Sequence, residues 1–179
     1  MLRPPGSGIY EVSAGKGSAL ELQQKHFRAS SGKASVGQDQ VDSVWRTEIN
    51  DRIGKARVVI LGVPSDTGAG IRRGAAYGPR AVRHALLEKA EYRSALSSAR
   101  LLDLGDVLVN PQLLHDSMLA ARQIEMSRNE MYAALAASKR KLPVSPLSQA
   151  RWALEQVFKV NPSARVFAIG GDHSVAWPV

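Results

Sequence analysis

The 179-residue sequence predicts an α/β protein built on a mainly parallel sheet, and three observations carry that prediction. The segments Arg57-Val-Val-Ile-Leu-Gly-Val63, Arg100-Leu-Leu-Asp-Leu-Gly-Asp-Val107 and Arg165-Val-Phe-Ala-Ile-Gly-Gly171 each run from an arginine through apolar residues to glycine. Short continuous apolar runs of this kind fit strands buried on both faces, as parallel sheets require. Stretches of helical periodicity separate them, which is the alternation of β-α-β units. Composition agrees, since 44% hydrophobic and 22% charged residues are ordinary for a globular chain able to bury a sizeable core.

The elements follow in order. Residues 1–38 are rich in Gly, Ser and Lys and read as a poorly structured extension with a short helix near Ser18–Phe27. Val41, Val44, Trp45, Ile49 and Ile53 are spaced for one helix face, and Gly54 can close that helix. After the first strand, Gly78-Pro79 starts a helix with proline at its favoured first position and Val82, Ala85 and Leu86 as its apolar stripe. After the second strand a longer helix is expected beyond Pro111, with Leu114, Met118, Ala121 and Ile124 on one face. Another begins near Ser145-Pro146 with Leu147, Ala150, Leu154, Val157 and Phe158, and Asn161-Pro162 turns the chain into the third strand.

Several function classes are excluded. With no cysteine there is neither a disulfide framework nor a thiolate metal site, so His, Asp and Glu are the available ligands. The net charge of +8 invites a nucleic-acid reading. The densest basic clusters, however, are only Arg72-Arg73 and Lys139-Arg140-Lys141, and neither is interleaved with aromatics. No stretch approaches the roughly 20 apolar residues of a membrane span. The amino terminus lacks the apolar core of a secretory signal, so a cytoplasmic protein without membrane contact is expected.

Candidate chemistry sits where strands end. In Gly62-Val-Pro-Ser-Asp66-Thr-Gly68-Ala-Gly70-Ile-Arg72-Arg73-Gly74-Ala-Ala-Tyr77-Gly78-Pro79-Arg80 the glycines miss the dinucleotide-binding spacing by one residue, and no phosphate-binding lysine motif follows. Asp66, Arg72, Arg73, Tyr77 and Arg80 nevertheless crowd this one loop. Asp106 reads as a turn aspartate with local backbone bonds. Gly170-Gly171-Asp172-His173-Ser174 is the sharpest motif. Its neighbours in sequence cannot form a hydrolytic triad, whose members come from separate segments. Alone, Asp172 caps the next helix and His173 is either an exposed first-turn residue or a metal ligand.

The order of these pieces carries more weight. Gly62-Val-Pro-Ser-Asp66, Gly74-x-x-x-Gly78-Pro79-Arg80-Ala-Val-Arg83, Asp103-Leu-Gly105-Asp106-Val107 and Ile169-Gly-Gly-Asp-His173-Ser174 together resemble the ureohydrolase family of arginase, agmatinase and formimidoylglutamase. The resemblance covers about residues 57–179, here residues 39–179 as the amino-terminal portion of the domain. It implies a three-layer αβα fold with the first of the three strands in the middle and the third at an open edge. It also implies two manganese ions at the strands' carboxyl ends, with His173 as a ligand and Asp172 and Asp66 as its supports. The implied reaction is hydrolysis of a small cationic guanidino compound, agmatine- or arginine-like, to urea and an amine. Two cations lower the pKa of a bound water and so supply the nucleophile that a resonance-stabilised guanidinium needs. Full-length members of this kind are expected to be homo-oligomers.

The departures matter equally. The family's further ligands lie in an Asp-x-His-x-Asp segment and a later Asp-x-Asp segment, and neither pattern occurs in the 179 residues. The expectation is therefore an amino-terminal ureohydrolase segment that is inactive alone. Two alternatives stand beside it. One is a non-catalytic α/β binding module that takes a nucleotide or associates with full-length subunits, and the other is a basic nucleic-acid binder.

Overall fold

In a computed structural model of the chain, residues 1–11, 14–33, 35–135 and 141–177 are described. Four strands form one sheet: β1 (Leu2–Arg3), β2 (Val58–Val63), β3 (Leu101–Val107) and β4 (Arg165–Gly170), in the order β1-β3-β2-β4. β2 runs parallel to β3 on one side and to β4 on the other, while β1 pairs antiparallel with β3. The three expected strands are thus parallel, with the first in the middle.

Among the described residues six α-helices accompany the sheet: α1 (Ala14–Ser31), α2 (Val41–Arg52), α3 (Gly78–Leu87), α4 (Ala90–Ser97), α5 (Ala121–Met131) and α6 (Pro146–Val160). On one face Val59, Leu61 and Val63 pack with Leu147, Ala150, Leu154 and Val157 of α6. On the other, Ile60, Leu101 and Ile169 meet Leu22 of α1, Leu87 of α3 and Leu96 of α4. Each large apolar side chain buried this way contributes about 1.5–3 kcal/mol. Helices on both faces explain why the strands read as unbroken apolar runs.

Residues 1–11 and α1, which lie within the expected loose extension of residues 1–38, pack against the rest of the fold. α1 buries Ala19, Leu22, Gln23, His26, Phe27 and Ser30, a regular helical face. Half of that stripe is polar, which hid the periodicity. Each polar member has partners: Gln23 donates to Pro5 O at 3.0 Å and Ser7 Oγ at 2.7 Å, and Ser30 donates to Glu48 of α2 at 2.5 Å. His26 lies 3.8 Å from the same carboxylate. Burial works against the Glu48 charge, but the His26 and Ser30 bonds outweigh it and hold the carboxyl below its ordinary range.

Two helices differ from expectation. α3 starts at Gly78-Pro79 but buries Pro79, Arg83 and Leu87, whereas Val82 is exposed. The expected stripe is displaced because acidic partners inside the sheet draw Arg83 inward. After Pro111 the chain forms only a short turn, Asp116–Met118, before α5 begins at Ala121. Asp116 is committed elsewhere: its carboxylate accepts from Val144 N at 3.3 Å and Ser145 N at 2.9 Å, at the start of α6. Met118, expected on a helix face, is exposed.

Candidate active site

The loop after β2 and the turn after β4 leave the carboxyl ends of adjacent parallel strands, and Val63 pairs with Gly170 where they depart. Their contact is polar and specific. Asp172 Oδ2 accepts from Gly68 N at 2.8 Å, and Oδ1 accepts from Ser174 N at 2.8 Å and from the Ser174 hydroxyl. One carboxylate therefore caps its own turn, His173–Ala176, and ties it to the neighbouring loop. Gly171 permits the approach, since a Cβ there would overlap the Ser65 carbonyl.

Asp66 organises the loop itself. Its buried carboxylate accepts from Gly74 N at 2.6 Å and Ala76 N at 3.4 Å, and Arg73 Nε lies 3.1 Å away. Burial opposes its charge, but the two amides and the guanidinium outweigh that cost and hold its carboxyl below the ordinary range. Thr67 Oγ1 donates to Pro111 O at 3.2 Å, which brings the loop after β3 to the same end. His115 of that loop meets Trp177 edge-to-face, with ring centroids 4.5 Å apart.

His173, the first residue of the turn that Asp172 caps, is exposed. Among the described residues its ring makes no hydrogen bond, ion pair or ring contact. Arg72 is exposed as well, and Ile71 beside it is 99% exposed at the loop tip. Arg80 does not face the site. It donates to Gly6 O at 2.6 Å and pairs with Glu11, with its guanidinium also 5.8 Å from the Tyr77 ring. The Lys139-Arg140 portion of the second basic cluster lies outside the described residues.

Asp106 corrects the sequence reading, because it is no local turn residue. Arg83, 1% exposed, donates to Asp103 at 2.7 and 2.8 Å and to Asp106 at 2.6 Å. Asp106 also accepts from Gly6 N at 2.9 Å and Gly8 N at 3.3 Å. Residues three apart in a regular strand face opposite sides. Here the register shifts between Ile60 and Gly62, so the partners of Asp103 and Asp106 are only two residues apart. The extra residue is Gly105, at φ 80°, and it turns both carboxylates toward Arg83. Gly62 leaves room for the cluster, since a Cβ there would collide with Asp106. A glycine inside a strand run, flanked by acids, was the available signal.

Metal binding can be tested against these groups. Among the described residues no set of three or more His, Asp or Glu side chains could hold an ion. The carboxylates nearest His173 are occupied with backbone amides. The described residues thus do not constitute a metal centre, and the His173 imidazole stands among them without a partner.

The architecture is an open, mainly parallel α/β sheet whose strand-to-helix loops meet at the carboxyl ends, where proteins of this class bind their ligands. The chain matches the model of the Arginase family over residues 56–179 and belongs to that family. It is similar to a putative agmatinase 1 of Schizosaccharomyces pombe, at 28% identity over 164 residues, covering 80% of this chain and 38% of that protein. It is also similar to a guanidinopropionase of Pseudomonas aeruginosa, at 33% identity over 128 residues, covering 69% of this chain and 30% of that protein. The chain thus spans less than two fifths of either relative. No solved structure gives a significant match. Among the described residues no helix is long and apolar enough to cross a membrane.

Proposed function

We propose that these residues belong to a ureohydrolase that cleaves a linear guanidino compound to urea and an amine, with manganese as its metal and His173 as one ligand. The observation that carries the reading is the bond from Gly68 N to Asp172. It locks two loops together at the strands' carboxyl ends and leaves an unpartnered imidazole beside the joint. Asp66 holds the loop on one side, and Asp172 fixes the turn on the other. The relatives' names point to agmatine or a guanidino acid as substrate. Manganese, when bound, would supply an activated water and electrostatic stabilisation. In this reading the residues around His173 hold one ligand in place, and other residues of the enzyme supply the remaining ligands.

The test has two parts. The 179-residue chain should release no urea from agmatine or 3-guanidinopropionate and should bind no pair of manganese ions tightly. A polypeptide that joins these residues to both an Asp-x-His-x-Asp segment and a later Asp-x-Asp segment should release urea when loaded with manganese, and His173→Ala should abolish it. Tight binding of two ions by the short chain would refute the single-ligand assignment. Absence of urea release by the longer one, across guanidino substrates, would refute the activity.

A further inference from the structure

The arginines that open the three parallel strands meet at the end of the sheet opposite the candidate active site. Arg57 N donates to Arg100 O at 2.9 Å, and Arg165 N donates to Arg57 O at 2.9 Å. Three arginine backbones are thus bonded abreast, in the order Arg100, Arg57, Arg165. Lys55 precedes Arg57 by two residues, and all four cations line one concavity of about 550 Å³ beside Asn161 and Ser163. No acidic side chain lines it. All four side chains are exposed, and among the described residues none makes a hydrogen bond, ion pair or ring contact.

Like charges gathered this way repel, so the arrangement gives the fold no stability of its own. Helix carboxyl ends also point to this end of the sheet and favour cations. That demand is already met in α2 and α6, which place Arg52 and Lys159 in their last turns. Arg52 donates to the carbonyls of Leu96 and Ser30 at 2.8 and 2.7 Å. The strand-leading arginines remain as unused fork-shaped donors, a geometry that matches phosphate oxygens. Neighbouring strands lie about 4.8 Å apart, so the three backbones span about 10 Å. That is wider than one phosphate and suits two or three linked ones. The volume lies within the range of about 300–1,000 Å³ usual for small-ligand sites. No aromatic side chain lines the concavity, which argues against a stacking platform for single strands.

We propose that this concavity binds a small polyphosphate-bearing anion, a di- or triphosphate, through Arg57, Arg100, Arg165 and Lys55. The assignment is independent of urea release. Inorganic tripolyphosphate, titrated into the 179-residue chain in a calorimeter, should bind at one site and raise the melting temperature. Arg57→Gln with Arg165→Gln should weaken binding by about tenfold or more and remove the thermal shift. Arg46→Gln with Arg122→Gln removes the same charge elsewhere and should leave binding within about twofold. Both pairs are exposed, so both variants should melt near the parent temperature without ligand. No saturable binding at low salt would overturn the proposal, as would equal weakening in both variants. Tighter binding of a short DNA duplex through the same arginines would overturn it in favour of a nucleic-acid surface.

Discussion

Arg83 is the residue whose removal should cost the most. Burial alone would lower its pKa, yet Asp103 and Asp106 hold it above the ordinary value. The same burial pushes the Asp106 carboxyl upward, so that acid depends on its partner. Replacing Arg83 by methionine keeps the stem volume but leaves two buried carboxylates uncompensated. Urea unfolding should show a loss of about 3–5 kcal/mol. A loss below about 1 kcal/mol would mean that the acids are protonated or hydrated in the native state. Asp66 makes a different prediction, in pH. Its folded pKa lies below the ordinary 3.8, so its stabilisation is fully present above that value and is lost as pH falls through the lower folded one. The melting-temperature deficit of Asp66→Asn should therefore stay constant between about pH 5 and 8 and shrink below pH 3.8. A deficit that grows on acidification would reverse the assignment. Asp172→Ala should cost about 1.5–3 kcal/mol, the range for a hydrogen bond to a charged group. Native-state hydrogen exchange should locate that loss at the Gly68 and Ser174 amides.

Among the elements, those with uniform character were legible in the sequence and those with mixed character were not. β2 and α6 could be read because apolar residues fill most of their buried positions, although Gln149 of α6 is buried and Phe158, expected on its stripe, is exposed. α1 was read only as a short helix because Gln23, His26 and Ser30 occupy half of its buried stripe. α3 was placed correctly but turned to the wrong face, since no pattern of apolar residues announces a buried arginine. Gly105 concealed the shared face of Asp103 and Asp106, because counting by twos assumes an unbroken pleat. Among the described residues β4 pairs with β2 alone. Phe167 on that strand is 50% exposed. Unpaired backbone beside an exposed aromatic is a template for association. Phe167→Lys should lower light scattering at high protein concentration while changing stability by less than about 0.5 kcal/mol. Unchanged scattering would place the sticky surface elsewhere.

For the molecule as a whole, distant segments are joined by polar bonds at points that sequence spacing does not reveal. The loops carrying Asp66 and Asp172 were recognisable as motifs, but the Gly68 bond between them emerges only from the order β3-β2-β4. The same parallel register aligns Arg57, Arg100 and Arg165, which look scattered along the chain. The amino-terminal residues are joined in the same manner. β1 pairs with β3, Gly6 and Gly8 donate to Asp106, and Glu11 pairs with Arg80 at the start of α3. Deleting residues 1–11 would leave Asp106 buried with Arg83 as its remaining charge partner and two acceptor positions empty. Hydrogen bonds to a charged group are worth about 1.5–3 kcal/mol each, so the loss should reach about 3 kcal/mol or more. For a chain of this size that corresponds to a fall of about 6–12 °C in melting temperature. Restoring the deleted peptide in trans should recover part of it, because its partners remain on the folded frame. A truncated chain that melts with the parent would show that this segment rests on the surface and that the Arg83 cluster is self-sufficient.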